Sequence, residues 1–220
     1  MRTVVFDLDG TLADTSGDLL AAANACFEGL GHGALLGPED AATALRGGRA
    51  MLRLGFSRVG GATEAEVDRQ YPILLEAYGA NIAEHTRLYP GAVEAIETLR
   101  ADGFAISICT NKPEALAEDL MQKLGVRDLF GALIGADTLP VRKPDPAPYR
   151  TAVERAGGNV AQSLMVGDTD TDHKTARAAG VPSVLVTFGP SGEDMAAMEP
   201  DALLADYAAL PALALRLLHQ

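Results

Sequence analysis

The chain has 220 residues, of which 48% are hydrophobic, and a formal net charge of −12. That length suits one domain plus a modest insertion, and the apolar content excludes a disordered chain. The acidic balance excludes nucleic acid and anionic membrane as partners, whose phosphates would be repelled, but leaves room for a small anion held by a few local cations. Thr3-Val4-Val5-Phe6 is a β-branched and aromatic run that predicts a buried strand, broken at Gly10. Asp7 and Asp9 follow it and, with side chains alternating along a strand, start on one side of the chain. At roughly 4 Å and an effective dielectric near 20 they repel by about 4 kcal/mol, so the pair requires a cation or a proton. The same residues also form an ordinary turn, because Asp and Gly both favour turns.

Downstream the pattern becomes helical. Thr15-x-x-Asp18 reads as a helix start ahead of Leu19, Ala23, Cys26, Phe27 and Leu30, and Gly31 and Gly33 end that helix. A second helix is expected over 38–58, interrupted at Gly47-Gly48. Thr63-x-x-Glu66 has the form of a capping box before Val67, Tyr71, Leu74, Leu75, Tyr78 and Ile82, with Pro72 expected to break or kink the helix. From Tyr89-Pro90-Gly91 onward strands and helices alternate. Helices are expected over 93–100, 113–124, 145–156, 170–179 and 207–218, and strands over 104–109, 132–135, 163–166 and 183–186. Such alternation predicts right-handed crossovers and a parallel sheet covered on both faces. The fold class is therefore α/β, a doubly wound parallel sheet (1–13 and 87–220) with an all-helical cap (14–86) inserted after the first strand.

In open parallel sheets ligands bind at the carboxyl ends of the strands, where the chemically informative residues fall. Asp7 and Asp9 close the first strand, Thr110 and Asn111 follow Cys109, Lys143 lies after the third core strand, and Gly167-Asp168 closes the fourth with Asp172 four residues on. Asp168-x-Asp170-x-Asp172 imitates a calcium loop, but His173 and Ala179 stand where such a loop needs Gly and Glu. Cys26 and Cys109 have no nearby cysteine partner, so no disulfide or zinc knuckle is expected, and Cys109 reads as a packed thiol. His32, His85, His173 and His219 lack ligand spacing. Leu210, Leu213, Leu217 and Leu218 form a stripe expected in the core.

Asp7-Leu8-Asp9-Gly10-Thr11, the Thr110 strand end, the lone Lys143 and Gly167-Asp168 with Asp172 stand in an order that resembles the haloacid dehalogenase superfamily in its phosphatase form. The resemblance covers the whole chain, and it implies a Rossmann-like core and a helical cap that closes over a small phosphorylated metabolite. It implies that Asp7 is the nucleophile and Asp9 the acid and base, through an aspartyl-phosphate intermediate. It assigns Thr110 and Lys143 to the phosphoryl oxygens, together with Asn111 as a substrate contact. Mg²⁺ is assigned to the Asp7 carboxylate, the Asp9 carbonyl and Asp168, supported by Asp172. Asp9 separates the chain from dehalogenases, whose leaving halide needs no proton.

The wording Thr110-Asn111-Lys112-Pro113 and Arg142-Lys143-Pro144-Asp145-Pro146 looks most like phosphoglycolate phosphatases, which implies 2-phosphoglycolate as substrate. Arg46 and Arg49, flanking the Gly47-Gly48 break, are candidates for the substrate carboxylate, with Arg49 the one assigned to substrate binding. A sugar-phosphate phosphatase or mutase shares the same motifs and stays open. A non-catalytic phosphate-binding or signalling protein is a third class, though no catalytic residue is missing. The N-terminus shows no signal-peptide pattern and no run reaches the roughly 20 apolar residues of a membrane span, so a cytoplasmic protein is expected. Monomer and homodimer stay open.

Overall fold

The computed structural model describes residues 1–189 and 194–218, so the reading of His219 lies outside the described residues. In chain order the elements begin with Thr3–Phe6 (β1), Ala13–Asp14 (β2), Ser16–Gly29 (α1), Ala41–Ala44 (α2), Gly48–Ser57 (α3), Glu64–Ala80 (α4) and Arg87–Leu88 (β3). They continue with Ala92–Ala101 (α5), Ala105–Cys109 (β4), Glu114–Lys123 (α6), Ala132–Ile134 (β5), Pro146–Arg155 (α7), Ser163–Gly167 (β6), Asp170–Ala179 (α8), Ser183–Val186 (β7), Ala202–Leu204 (β8) and Leu210–Leu218 (α9). Two compact units emerge, one of residues 1–13 and 88–220 and one of residues 14–87. No helix among the described residues is long and apolar enough to cross a membrane.

The first unit is built on a sheet with strand order β5-β4-β1-β6-β7-β8, parallel throughout. β1, β4, β6 and β7 are buried along their whole length. This is why they read as continuous apolar runs rather than as alternating ones. Val5, Cys109, Ile134 and Met165 pack on one face against Tyr149, Ala152 and Val153 of α7 and Ala176 and Ala179 of α8. Phe6 points to the other face, with its ring 6.5 Å from those of Phe130 and Tyr207. The chain leaves β1 toward β4 and β5, then returns to β6 on the other side of β1. The loops after β1 and β6 therefore diverge at a topological switch point, where such sheets open a crevice.

The short strand β8 carries no sequence signal, because its pattern has a single buried position, Leu204. The C-terminal stripe is buried only in part. Leu210 and Leu213 are in the core, whereas Leu217 and Leu218 are half-buried, since the helix ends there with fewer neighbours to cover them.

In the helical unit the elements stand close to where their periodicity placed them, but their caps differ. Asp18 does not close a capping box with Thr15. Its carboxylate instead accepts from His85 N at 2.8 Å, Thr86 N at 2.9 Å and Thr86 Oγ1 at 2.7 Å. Asp14 does the capping, with Oδ1 accepting from Ser16 N at 3.0 Å and from Ser16 Oγ at 2.6 Å. Thr63 Oγ1 does accept from Glu66 N at 3.3 Å, but the Glu66 carboxylate turns to Arg69 and Gln70 instead of back to the cap. The expected break at Pro72 does not occur, and α4 runs through it. Pro72 lies on the exposed face, where water can serve the carbonyl that loses its donor, while Val67, Leu74 and Tyr78 bury the opposite face. The rings of Phe27 and Phe56 meet edge to face at 5.2 Å. Gly55 is needed beneath them, because a Cβ there would come within 2.1 Å of the Phe27 ring.

Asp18→Ala removes a buried acceptor from three donors at once. Equilibrium urea unfolding should show a loss of roughly 3 kcal/mol. A loss below about 1 kcal/mol would mean that Asp18 does not tie the two ends of the helical unit together.

Candidate active site

Asp7 leaves β1 directly after Phe6, and its N–H donates to Val166 O of β6 at 2.9 Å. The last ladder pairing, Phe6 with Val166, thereby continues into the loop and sets Asp7 beside the Gly167-Asp168 turn. On the other side Thr110 N donates to Ile134 O at 2.9 Å. The groups gathered around Asp7 and Lys143 all belong to the first unit.

Lys143 stands at the centre. It is 3% exposed, and its Nζ lies 2.9 Å from Asp7 Oδ1 and 2.6 Å from Asp172 Oδ1. Asp7 Oδ1 also accepts from Leu8 N at 2.7 Å. Asp172 Oδ2 accepts from Asp168 N at 3.2 Å, Thr169 N at 3.1 Å and Thr169 Oγ1 at 2.7 Å, so Asp172 ties the start of α8 to the lysine. Gly167 makes this possible, since a Cβ at that position would come within 2.3 Å of Asp172 Cβ. Asp168 Oδ1 accepts from Thr11 Oγ1 at 3.0 Å, whereas its buried Oδ2 has no hydrogen-bond partner among the described residues. Carboxylate oxygens of Asp7, Asp168 and Asp172 lie within 4.8 Å of one another.

These neighbours shift the ionisations. Burial, opposed by Lys143 and reinforced by Asp172, raises the Asp7 carboxyl to about 6. Burial and then Asp172 push Asp168 well above the carboxylate range. Burial alone would push the Lys143 ammonium down, but Asp172 and Asp7 outweigh it and hold it above the lysine range. The Cys109 thiol is pushed by burial up to about 12, so it stays a packed thiol beside the site.

The positive charge that the Asp7 and Asp9 pair requires comes from two lysines, one for each carboxylate. Asp7 has Lys143, while both oxygens of Asp9 face Lys112 Nζ, at 2.8 and 2.9 Å. The strand ends at Phe6, so the period-two relation between the two carboxylates is lost one residue after it starts. Lys112 is the residue that sequence reasoning missed. Its signal was only the word Thr-Asn-Lys-Pro, which also describes a turn. Asn111, expected at the substrate, donates from Nδ2 to Lys143 O at 3.1 Å and so steadies the lysine loop. Thr110 Oγ1 accepts from Lys112 N at 3.1 Å, which leaves its own hydrogen for a ligand. In the helical unit Arg49 pairs with Asp68 and lies 4.6 Å over the Tyr71 ring.

Four carboxylates and two ammonium groups thus converge at the carboxyl end of the sheet. Such an excess of negative charge, with a buried carboxylate oxygen left without a donor, fits a divalent cation with oxygen ligands. A carboxylate held beside one buried lysine at a switch point is suited to group transfer from an anionic substrate.

Comparison with known proteins agrees with this chemistry. The sequence pattern of haloacid dehalogenase-like hydrolases matches residues 1–180. A protein of Agrobacterium fabrum named phosphoglycolate phosphatase is 39% identical over 211 residues, covering 95% of this chain and 91% of that protein. One of the same name from Caulobacter vibrioides is 36% identical over 220 residues, covering 98% and 92%. A crystal structure from Haemophilus somnus, described as a predicted phosphoglycolate phosphatase, superimposes with a TM-score of 0.85 at 27% identity, covering 97% of each chain. The chain belongs to the haloacid dehalogenase-like hydrolases, and it is an enzyme.

The raised Asp7 carboxyl has a consequence for stability. The native state holds a proton there that the unfolded chain releases from about pH 4, so ionisation between about pH 4 and 6 weakens the fold. In chelator, Asp7→Asn should match the parent near pH 4 and gain on it as pH rises to 7, by up to about 3 kcal/mol. A gap in urea stability that stays constant over that range would contradict the assignment.

Proposed function

We propose that the chain is a Mg²⁺-dependent phosphomonoester hydrolase that converts 2-phosphoglycolate to glycolate and phosphate through an aspartyl-phosphate. The observation that carries this reading is the buried Lys143, which holds Asp7 against Asp172 and presents a positive centre where a phosphoryl group would sit. Both donors to Asp7 address Oδ1, so Oδ2 is the oxygen we assign to phosphorus. As Oδ2 bonds to phosphorus the ester P–O bond breaks, its electrons pass to the departing alkoxide, and Asp9 supplies the proton. In the second half Asp9 takes a proton from water, whose oxygen attacks phosphorus and releases phosphate from Asp7. Lys143 and the Thr110 hydroxyl face the charge that builds on the phosphoryl oxygens.

Asp7 and Asp168 would hold the cation, with Asp172 supporting them and, from the family resemblance, the Asp9 carbonyl. When bound, the cation neutralises phosphate and carboxylate charge together. An all-oxygen ligand set with a phosphate partner favours Mg²⁺. The substrate rests on relatives named phosphoglycolate phosphatase along nearly the whole chain. Within the helical unit, which we read as the cap, Arg49 is our candidate for the substrate carboxylate. It would exchange Asp68 for that group.

Phosphate release from a panel of small esters tests the reading. With Mg²⁺ it should peak on 2-phosphoglycolate, vanish with chelator, and fall by roughly 10³-fold or more in Asp7→Asn. A profile peaking on a hexose phosphate would discard the substrate but keep the mechanism, and full activity in Asp7→Asn would discard both. Arg49→Ala should raise KM for 2-phosphoglycolate about tenfold and leave 4-nitrophenyl phosphate nearly unchanged. Equal effects on the two esters would remove Arg49 from substrate recognition.

A further inference from the structure

Lys112 stands where a lysine is least at home. It is 6% exposed and lies two residues before Glu114, the first residue of α6, where the positive end of the helix dipole disfavours a second positive charge. A buried ammonium also requires a partner to offset its lost hydration. That partner is Asp9, which meets Nζ with both carboxylate oxygens, at 2.8 and 2.9 Å. The base of the side chain is equally fixed. Lys112 N donates to Thr110 Oγ1 at 3.1 Å, and Lys112 O accepts from Ala136 N at 2.9 Å. The ammonium therefore projects from a backbone pinned between the ends of β4 and β5.

We propose that Lys112 is a positioning residue for Asp9, fixing the plane and direction of that carboxyl group by its two-point contact. This inference rests on the reading of Asp9 as the group that exchanges a proton with the leaving oxygen and with water. A side chain on a loop after a strand end has several rotamers open to it, and proton transfer needs one of them, within hydrogen-bond reach of the leaving oxygen. The two-point contact selects one. The reaction gains no bond from Lys112, which neither donates to the phosphoryl group nor takes part in proton exchange.

The test compares two substrates that differ in their need for a proton. Departure of the alkoxide from 2-phosphoglycolate requires one, whereas 4-nitrophenolate leaves from 4-nitrophenyl phosphate without it. Measured as kcat/KM, which reports only up to the first phosphoryl transfer, Lys112→Met should lose about 100-fold on 2-phosphoglycolate and less than about 3-fold on the aryl ester. Lys112→Arg, which keeps the charge and can address both oxygens, should recover most of the loss. In an Asp9→Asn background Lys112→Met should have no further effect. Equal losses on both esters would overturn the proposal, because a lysine that binds the phosphoryl group or merely supports the fold acts on both alike. No loss on either would overturn it too. If Lys112→Met fails to fold, the same pair of esters with Lys112→Arg and Lys112→Gln decides, since only positioning separates the two substrates. Failure of Asp9→Asn itself to separate the esters would instead remove the acid reading on which the inference stands.

Discussion

The buried bridge from Asp7 through Lys143 to Asp172 is the contact on which the rest of the site depends. One ammonium at 2.9 and 2.6 Å from two carboxylates joins the end of β1 to the first turn of α8. Removing the lysine from such a bridge leaves two buried carboxylates without compensation, at a cost of several kcal/mol. The geometry around it follows from this demand. Gly167 keeps β6 clear of Asp172, Asn111 holds the Lys143 carbonyl, and three donors occupy Asp172 Oδ2. What the bridge does not neutralise is Asp168, whose Oδ2 remains without a donor among the described residues and whose carboxyl is pushed up by burial. The protein thus keeps at Asp168 an acceptor oxygen that a divalent cation would complete.

The sheet order explains how four separate stretches of sequence reach one place. Because β1 lies between β4 and β6, the loops after these three strands are immediate neighbours, and the loop after β5 adjoins that after β4. Thr11 binds Asp168 across 157 positions of sequence, and Lys112 reaches Asp9 across 103. A second anchor lies below, where Tyr207 donates to Thr11 O at 2.7 Å from beside the ring of Phe188. The nucleophile loop is therefore held at Thr11 through both its hydroxyl and its carbonyl. Such preorganisation lets electrostatic stabilisation act without rearrangement during the reaction.

Much of this was legible in the chain because its signals are local. Strand runs such as Val4-Val5-Phe6 and helix periodicities such as Val67, Leu74 and Tyr78 declare buried faces within a few residues. Asp7, Thr110, Lys143 and Asp168 could be ordered along the chain because each follows a strand, and strand ends of a parallel sheet meet on one side. Partnerships were not legible. Asp18 could have capped its own helix, yet His85 and Thr86 claim it. Glu66 chose Arg69 and Gln70 over a reciprocal cap. Lys112 lay inside a word that reads as a turn, and only folding shows that its ammonium is buried against Asp9. Pro72 shows the reverse case, a local prohibition that one exposed helix face can absorb.

The central claim is that Asp7, held by Lys143, carries the phosphoryl group. Borohydride reduces an acyl phosphate to an alcohol but leaves a free carboxylate intact, so the most direct measurement is mass analysis of the peptide spanning residue 7 after quenching turnover with that reagent. Homoserine at position 7, present with substrate and absent without it, is the predicted result. An unmodified Asp7 during steady turnover, or reduction at Asp9 or Asp168 instead, would contradict the account.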